Sequence, residues 1–245
     1  MARFFIEVYY KGTNYAGFQV QQNANTIQAE VEKALGIYFR KPFELTGSSR
    51  TDKGVHAIQN FFQADVEAIG SAEMEHAVYH LNAILPEDIV IRSVREVDPA
   101  KHARFDAKSR TYEYTIYQQK DPFLADRGFF YPYMLDISLL NEAARLVQAA
   151  SEFKSFSKHN SQVKTFRCTI YESIWVSESG LIRYRVRGNR FLRGMVRGLV
   201  GTMLKVGRGK TSLDEFAAII AAEDASLADF SVPPQGLTLV SVQYE

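Results

Sequence analysis

The stretch FELTGSSRTDKGVHAIQNFFQADV, residues 43–66, decides the fold. Residues 43–46 and 59–66 read as strands, and the polar segment between them as a tight turn. In that turn Asp52 bonds its own backbone and Gly54 supplies a positive φ. Upstream, Thr26 caps a helical run, TIQAEVEKALGIYF, that aligns Ile27, Val31, Ala34, Leu35 and Tyr38 on one face. Before it, RFFIEVYY at 3–10 alternates as a strand, and a polar loop rich in Gly and Asn joins the two. Downstream, Ser71 opens a helix through Ile84, and residues 88–97 return as a strand. The order is β-α-β-β-α-β, the split βαβ arrangement. It sets Arg50, Asp52, Lys53 and His56 in a loop beside a sheet.

The remainder follows a similar order without repeating the sequence. Residues 102–108 form a polar crossover, and SRTYEYTIYQ, from Ser109, is an alternating strand rich in Thr and Tyr. Asp136 caps a helix, and residues 168–177 and 181–187 pair as a hairpin across a Glu-Ser-Gly turn. Residues 190–206 read as a helix, in which Gly194, Gly198 and Gly201 predict close backbone approach. Thr211 or Ser212 caps a last helix, and residues 237–244 close with a strand. The predicted class is α+β, two related halves joined through one mostly antiparallel sheet. Residues 1–104 carry the turn motif, and residues 105–245 the tyrosine strand and the Arg-rich helix.

A single cysteine, Cys168, in 245 residues precludes an intrachain disulfide and predicts a reducing compartment. Its simplest role is that of a small buried hydrophobe. The N-terminus runs straight into strand-like sequence, and no apolar run reaches the ~18 residues of a membrane span. A cytoplasmic protein is expected. Net charge is only +1, but it is unevenly spread. RYRVRGNRFLRGMVRGLVGTMLKVGRGK, residues 183–210, carries Arg183, Arg185, Arg187, Arg190, Arg193, Arg197, Lys205, Arg208 and Lys210 and no acidic residue. With no Glu alternating among them, the run predicts a basic surface for a phosphate-bearing ligand, to which Arg presents a planar fork of donors.

Spacing removes several chemistries. GRGKTS at 207–212 has Leu204 where a phosphate-binding loop needs Gly, and no strand precedes it. His76 and His80 stand four apart on a helix near Glu73 and Glu75, without the Cys or HExxH pattern that would complete a metal site. Neither G-x-S-x-G nor GxGxxG occurs. Carboxylate chemistry without a metal or cofactor remains. An ionised Asp, with an ordinary pKa of about 3.9, is a competent nucleophile toward a sugar carbon. Buried, it needs a cation, which Arg50 or an Arg of the basic run could supply. Tyr112 and Tyr114 share one strand face, and either could stack on a base. Tyr114 reads better as half of a cross-strand aromatic pair.

Five segments, in order, carry a resemblance: YKGTNYAGFQVQQNANTIQ (10–28), GSSRTDKGVHA (47–57), KHARFDAKSRTYEYTIY (101–117), GNRFLRGMVRGLVG (188–201) and PPQGLTLVSV (233–242). Essentially end to end, the chain resembles the tRNA pseudouridine synthase A family. The resemblance implies the pseudouridine synthase fold, with two ferredoxin-like halves sharing a continuous sheet, helices on one side and a central basic cleft. It implies a homodimeric isomerase that binds tRNA, needs no metal or other cofactor, and makes pseudouridine in the anticodon stem-loop at positions 38–40. Asp52 becomes the nucleophile, Tyr112 the ring on the target uracil, Arg197 the cation paired with the carboxylate, and Arg50 a neighbour that helps extrude the nucleotide. Two routes stay open: Asp52 attacks the ribose, or it removes a proton after glycal formation. In both, the uracil leaves its N-linkage, turns while held and rejoins through carbon five. The product is an isomer, so no energy source is required.

The chain departs from the family's bacterial pattern at Phe18, where Trp is usual, at Ser49 and Lys53 beside the nucleophile, and at Gly194, where His is usual. These positions bear on which uridines are accepted and leave Asp52, Tyr112 and Arg197 untouched. Two other readings compete. A catalytically silent RNA binder has no need of an Asp among cations and would carry an RNP-type aromatic motif, which is lacking. A carboxylate glycosidase needs a second acid, and none pairs convincingly with Asp52.

Overall fold

The computed structural model describes residues 1–67, 69–158, 163 and 165–245. Among them are nine strands and five α-helices, an α+β fold with mostly antiparallel pairing. In chain order the first six elements are β1 (Ala2–Tyr10), α1 (Ile27–Phe39), β2 (Leu45–Gly47), β3 (His56–Val66), α2 (Ser71–Ile84) and β4 (Ile89–Val97). Then come β5 (Ser109–Tyr117), β6 (Phe129–Phe130), α3 (Ile137–Ala149), β7 (Ile170–Glu178) and β8 (Leu181–Gly188). The last three are α4 (Met195–Gly207), α5 (Leu213–Ala221) and β9 (Leu237–Gln243). None of the described helices is long and apolar enough to cross a membrane.

The chain forms two compact units, Met1–Lys108 with Leu239–Glu245, and Ser109–Thr238. Sequence alone divides it at 104/105 and leaves the last strand with the second half. The difference at the C-terminus arises because β9 returns to lie beside β3.

In the first unit β1 is central, antiparallel to both β3 and β4, and β2 pairs antiparallel with β3. The register sets Phe4 opposite Ala64, Ile6 opposite Phe62 and Val8 opposite Asn60, so one face of the sheet is apolar apart from Asn60. Ile27, Val31 and Leu35 of α1 and Met74, Ala77 and Leu81 of α2 are buried with them. Truncating any of the larger ones to Ala would cost about 2–5 kcal/mol. Thr26 caps α1 as expected, accepting the Ala29 amide at 3.3 Å. On the opposite face Phe5, Phe61 and Tyr244 cluster with centroids 5.2–6.4 Å apart, and the Arg95 guanidinium lies within 6 Å of all three. Arg3 clamps Asp65 through two hydrogen bonds, of 2.6 and 2.9 Å.

In the second unit β8 lies between β5 and β7, antiparallel to both, and the short β6 runs parallel to β5. The hairpin turn predicted from Glu-Ser-Gly is present, with Ser179 and Gly180 both at positive φ, as a two-residue primed turn requires. Trp175, Tyr114 and Tyr184 fill the core; the Trp175 indole donates to Met203 Sδ at 3.5 Å, and Ser173 and Tyr184 share a 2.8 Å hydrogen bond. Asp136 and Ser212 cap α3 and α5, the latter through a reciprocal capping box with Glu215.

The helix expected over 190–206 begins only at Met195. Gly194 stands at φ +74°, outside the helical region, and residues 189–193 bond outward: the Asn189 amide donates to Thr169 O and Lys158 donates to Arg193 O. The interior glycines of α4 meet the expected close approach. A Cβ on Gly198 would press on the Phe230 ring, and one on Gly201 would overlap the Asp229 carbonyl.

Candidate active site

Residues 48–55, between β2 and β3, form the loop that carries Asp52. Its footing is a polar network under the apolar sheet face. Asn60, 0% exposed in β3, accepts from Ser48 Oγ at 2.8 Å and from the Phe61 amide at 2.9 Å. It donates to Ser49 O at 2.9 Å and to the Tyr10 hydroxyl at 3.1 Å. Tyr10 in turn shares a 2.8 Å hydrogen bond with Thr51 Oγ1. Every hydrogen-bonding position of the Asn60 amide is used, which fixes the loop's first four residues, since leaving buried polar groups unpaired is costly. The turn itself closes through Val55 N–H donating to Asp52 O at 3.2 Å, with Gly54 at φ +78°. Asp52 is half-buried, whereas Arg50 and Lys53 are exposed.

A second layer of support comes from the polar loop after β1. The Gly12 amide donates to His56 Nδ1 at 3.0 Å, and Phe18 N–H donates to Thr51 O at 3.1 Å. A Cβ on Gly12 would overlap the Val55 carbonyl, so only Gly lets the two backbones meet there. Phe18 stacks on Phe62 with centroids 4.4 Å apart, filling with a benzene ring the place where the family's usual Trp would stand. The far end of this loop is tied to the start of β4: the Tyr15 hydroxyl donates to Asp88, and Asn14 donates to the same carboxylate at 3.2 Å. Burial, and then that hydrogen bond, hold the Tyr15 phenol well above its usual pKa.

In the other unit, Tyr112 and Tyr114 do share one face of β5. Tyr114 faces Tyr184 across the strand pair, donates to Pro233 O at 2.8 Å and is fully buried, so its structural reading holds. Tyr112 is 9% exposed, with the Phe191 ring edge-on at 5.2 Å. Arg197 sits in the first turn of α4, where a cation opposes the helix dipole by about 0.3–1 kcal/mol. Two of its nitrogens are occupied: Nε and Nη2 donate to Val232 O at 2.9 and 2.6 Å, and Nη2 also reaches Phe230 O at 3.3 Å. Gly194 caps this helix without a side-chain acceptor, and its first turn has no acidic residue. The end of α4 is therefore electropositive and suited to an anion.

The basic run needs a correction. Its expected lack of acidic partners is true of the sequence window and untrue in space. Arg183 meets Glu113 at 3.4 Å, Arg185 and Arg187 meet Glu172 at 3.6 and 3.8 Å, and Lys205 meets Asp229 at 3.1 Å. Strand alternation puts the three arginines on the face away from Tyr184 and Val186, and β5 and β7 supply the carboxylates. Such exposed pairs contribute little stability, but they reduce the charge left for a phosphate.

Other singled-out residues have ordinary places. GRGKTS ends α4 and starts α5. His76 and His80 lie exposed on α2, His80 stacked at 5.5 Å on Tyr38. Cys168 is 2% exposed, and burial pushes its thiol up to about 11. Sequence reasoning missed Asn60, Tyr10 and Ser48; the available signal was Asn60 two residues from Phe62 and so on the strand face that alternation assigns to the core.

Comparison with known proteins gives consistent matches. A family model described as tRNA pseudouridine synthase matches residues 6–106 and 143–245. The chain is similar to tRNA pseudouridine synthase A of Porphyromonas gingivalis, 43% identical over 246 residues that cover 100% of this chain and 98% of that one. The protein of the same name from Parabacteroides distasonis is 42% identical, covering 100% and 96%. That of a Geobacillus species is 39% identical over 239 residues, 96% of each chain.

Proposed function

The chain belongs to the tRNA pseudouridine synthase family, and on that premise we propose that it isomerises uridine to pseudouridine in the anticodon stem-loop of tRNA, at positions 38–40, with Asp52 as nucleophile. The observation that carries the assignment is the half-buried Asp52 on a turn immobilised by Asn60, Tyr10 and the Gly12 backbone. A carboxylate so held meets a reacting carbon without reorganisation, the condition for a large rate gain.

In this reading the target nucleotide leaves the stack at a cost of a few kcal/mol, offset by backbone contacts and aromatic packing. Tyr112 packs against the uracil, Arg50 helps extrude the nucleotide, and Arg197 is the cation partner of the nucleophile. The electropositive start of α4 supports the last role. The bond from ribose carbon one to N1 breaks, the bond to carbon five forms, N1 gains a proton and carbon five loses one. Atoms and electrons balance within the substrate, so no cofactor enters. The proposal takes the two units as the family's related split βαβ halves around a basic cleft. In the first unit the antiparallel order β4-β1-β3-β2 supports that reading. It also places the enzyme in the cytoplasm as a homodimer.

The test uses tRNA tritiated at uracil carbon five, with no added cofactor. The protein releases tritium to water, whereas Asp52→Asn releases none and still binds tRNA. Turnover in that variant would end the nucleophile assignment, and tRNA binding without turnover by the wild type would favour the silent binder.

A further inference from the structure

Among the described residues, Arg208 and Lys210 have no carboxylate partner, unlike Lys205 beside them. Arg208, at the end of α4, is held flat: its guanidinium carbon lies 3.8 Å from the Tyr133 ring centroid and 5.9 Å from that of Tyr131. Its Nη1 donates to the Tyr131 hydroxyl at 3.5 Å. The two rings meet edge to face at 5.0 Å, and Tyr133 remains 48% exposed. A cavity of about 170 Å³ opens beside them, lined by Phe129, Tyr131, Arg208, Lys210 and Val232 among others. Val232 is also the residue whose carbonyl holds Arg197. Residues 197, 201, 204 and 208 follow one another along one side of α4, so the cavity wall continues from the catalytic guanidinium.

A helix C-terminus welcomes a cation, which would explain Arg208 alone. It does not explain a solvent-facing aromatic pair, an unpartnered lysine and an open cavity at the same place. A planar guanidinium stacked on an aromatic ring keeps its edge donors in a fixed fork, the geometry that a phosphate accepts. An exposed tyrosine next to it offers a surface for a base.

We propose that this patch is a second RNA subsite, taking a nucleotide of the bound tRNA other than the one isomerised. Its phosphate lies on Arg208 and Lys210, and its base lies against Tyr133. The inference rests on the tRNA-modifying reading above.

The experiment compares the wild type with Arg208→Gln/Lys210→Gln, Tyr133→Leu and Arg208→Lys, on one tRNA transcript, by tritium release and by binding across a salt series. In the double variant KM rises about tenfold with kcat within twofold, and the slope of log affinity against log salt falls by roughly one, at about 0.9 per phosphate neutralised. Tyr133→Leu raises KM by about the same factor and leaves the slope alone. Arg208→Lys keeps the slope and recovers only part of the KM, because it restores the charge without the fork. Wild-type KM and slope in the folded double variant would overturn the subsite. So would a change in sedimentation mass with an unaltered slope, which would identify a protein–protein face. Absence of turnover in the wild type would sink the isomerase reading instead, and the salt slopes would still judge the patch.

Discussion

Replacing Asn60 by Ala tests how Asp52, the proposed nucleophile, is held. The amide makes four hydrogen bonds of 2.8–3.1 Å in a place without solvent. Ala takes one hydrogen bond each from the Ser48 hydroxyl, the Ser49 carbonyl and the Tyr10 hydroxyl. At about 1–2 kcal/mol for each of these three buried groups, unfolding free energy falls by about 3–6 kcal/mol. The loss is read from the urea midpoint at unchanged m. The catalytic consequence is separable, because Ser48, Ser49 and Thr51 lead directly into Asp52. At a temperature where the variant is folded, kcat falls by about a hundredfold, the effect of displacing a reacting group by around 1 Å, and tRNA affinity changes little. Asn60→Asp refines the test. One oxygen of the substituted carboxyl still accepts, but the other faces Ser49 O, and only a protonated carboxyl can donate there. Its folded pKa is therefore raised above the unfolded value of about 3.9. Stability is best below that value and is lost as pH rises through the folded pKa. Asn60→Ala with less than about 1 kcal/mol of destabilisation and near-normal kcat would refute the account.

Two further predictions concern groups away from the loop. Cys168, its thiol pushed up to about 11 by burial, reacts with iodoacetamide at pH 7.5 only after unfolding in urea; labelling of the native protein at the rate of a free thiol would contradict its placement. Hydrogen bonds from Arg3, acting against burial, hold the Asp65 carboxyl below its usual pKa. The pair therefore stabilises the protein above the unfolded value of about 3.9 and ceases to do so as pH falls through the folded value. Urea midpoints at pH 3 and pH 7 differ less in Asp65→Asn than in the wild type, and equal differences would remove the pair from the acid response.

Much of the first unit was legible because its signals are local. Thr26, Ile27, Val31 and Leu35 announce α1 by capping and period, and the alternation of RFFIEVYY announces β1. The start of α4 was misread because Arg190–Gly194 has helix-compatible neighbours, and only the outward bonds of Asn189 and Arg193 reveal another use of the backbone. The two-residue β6 had no period to detect and exists through its pairing with β5. Charges were the least legible feature. Glu113 and Glu172 lie 70 and 15 residues from Arg183 and Arg187, distances that no window over 183–210 contains. Asp52, Tyr112 and Arg197 came from resemblance, and the residues supporting Asp52 came from packing that sequence does not display.

The unit that holds Asp52 is finished by residues 239–245, whose Tyr244 ring packs on Phe5 and Phe61. During synthesis the 130 residues of 109–238 must emerge before that closure, which takes on the order of ten seconds at ribosomal speed. A nascent chain halted anywhere in that interval lacks β9 beside β3 and the Tyr244 ring against Phe5 and Phe61. A chain cut short before residue 239 therefore leaves the unit that carries Asp52 without its last strand.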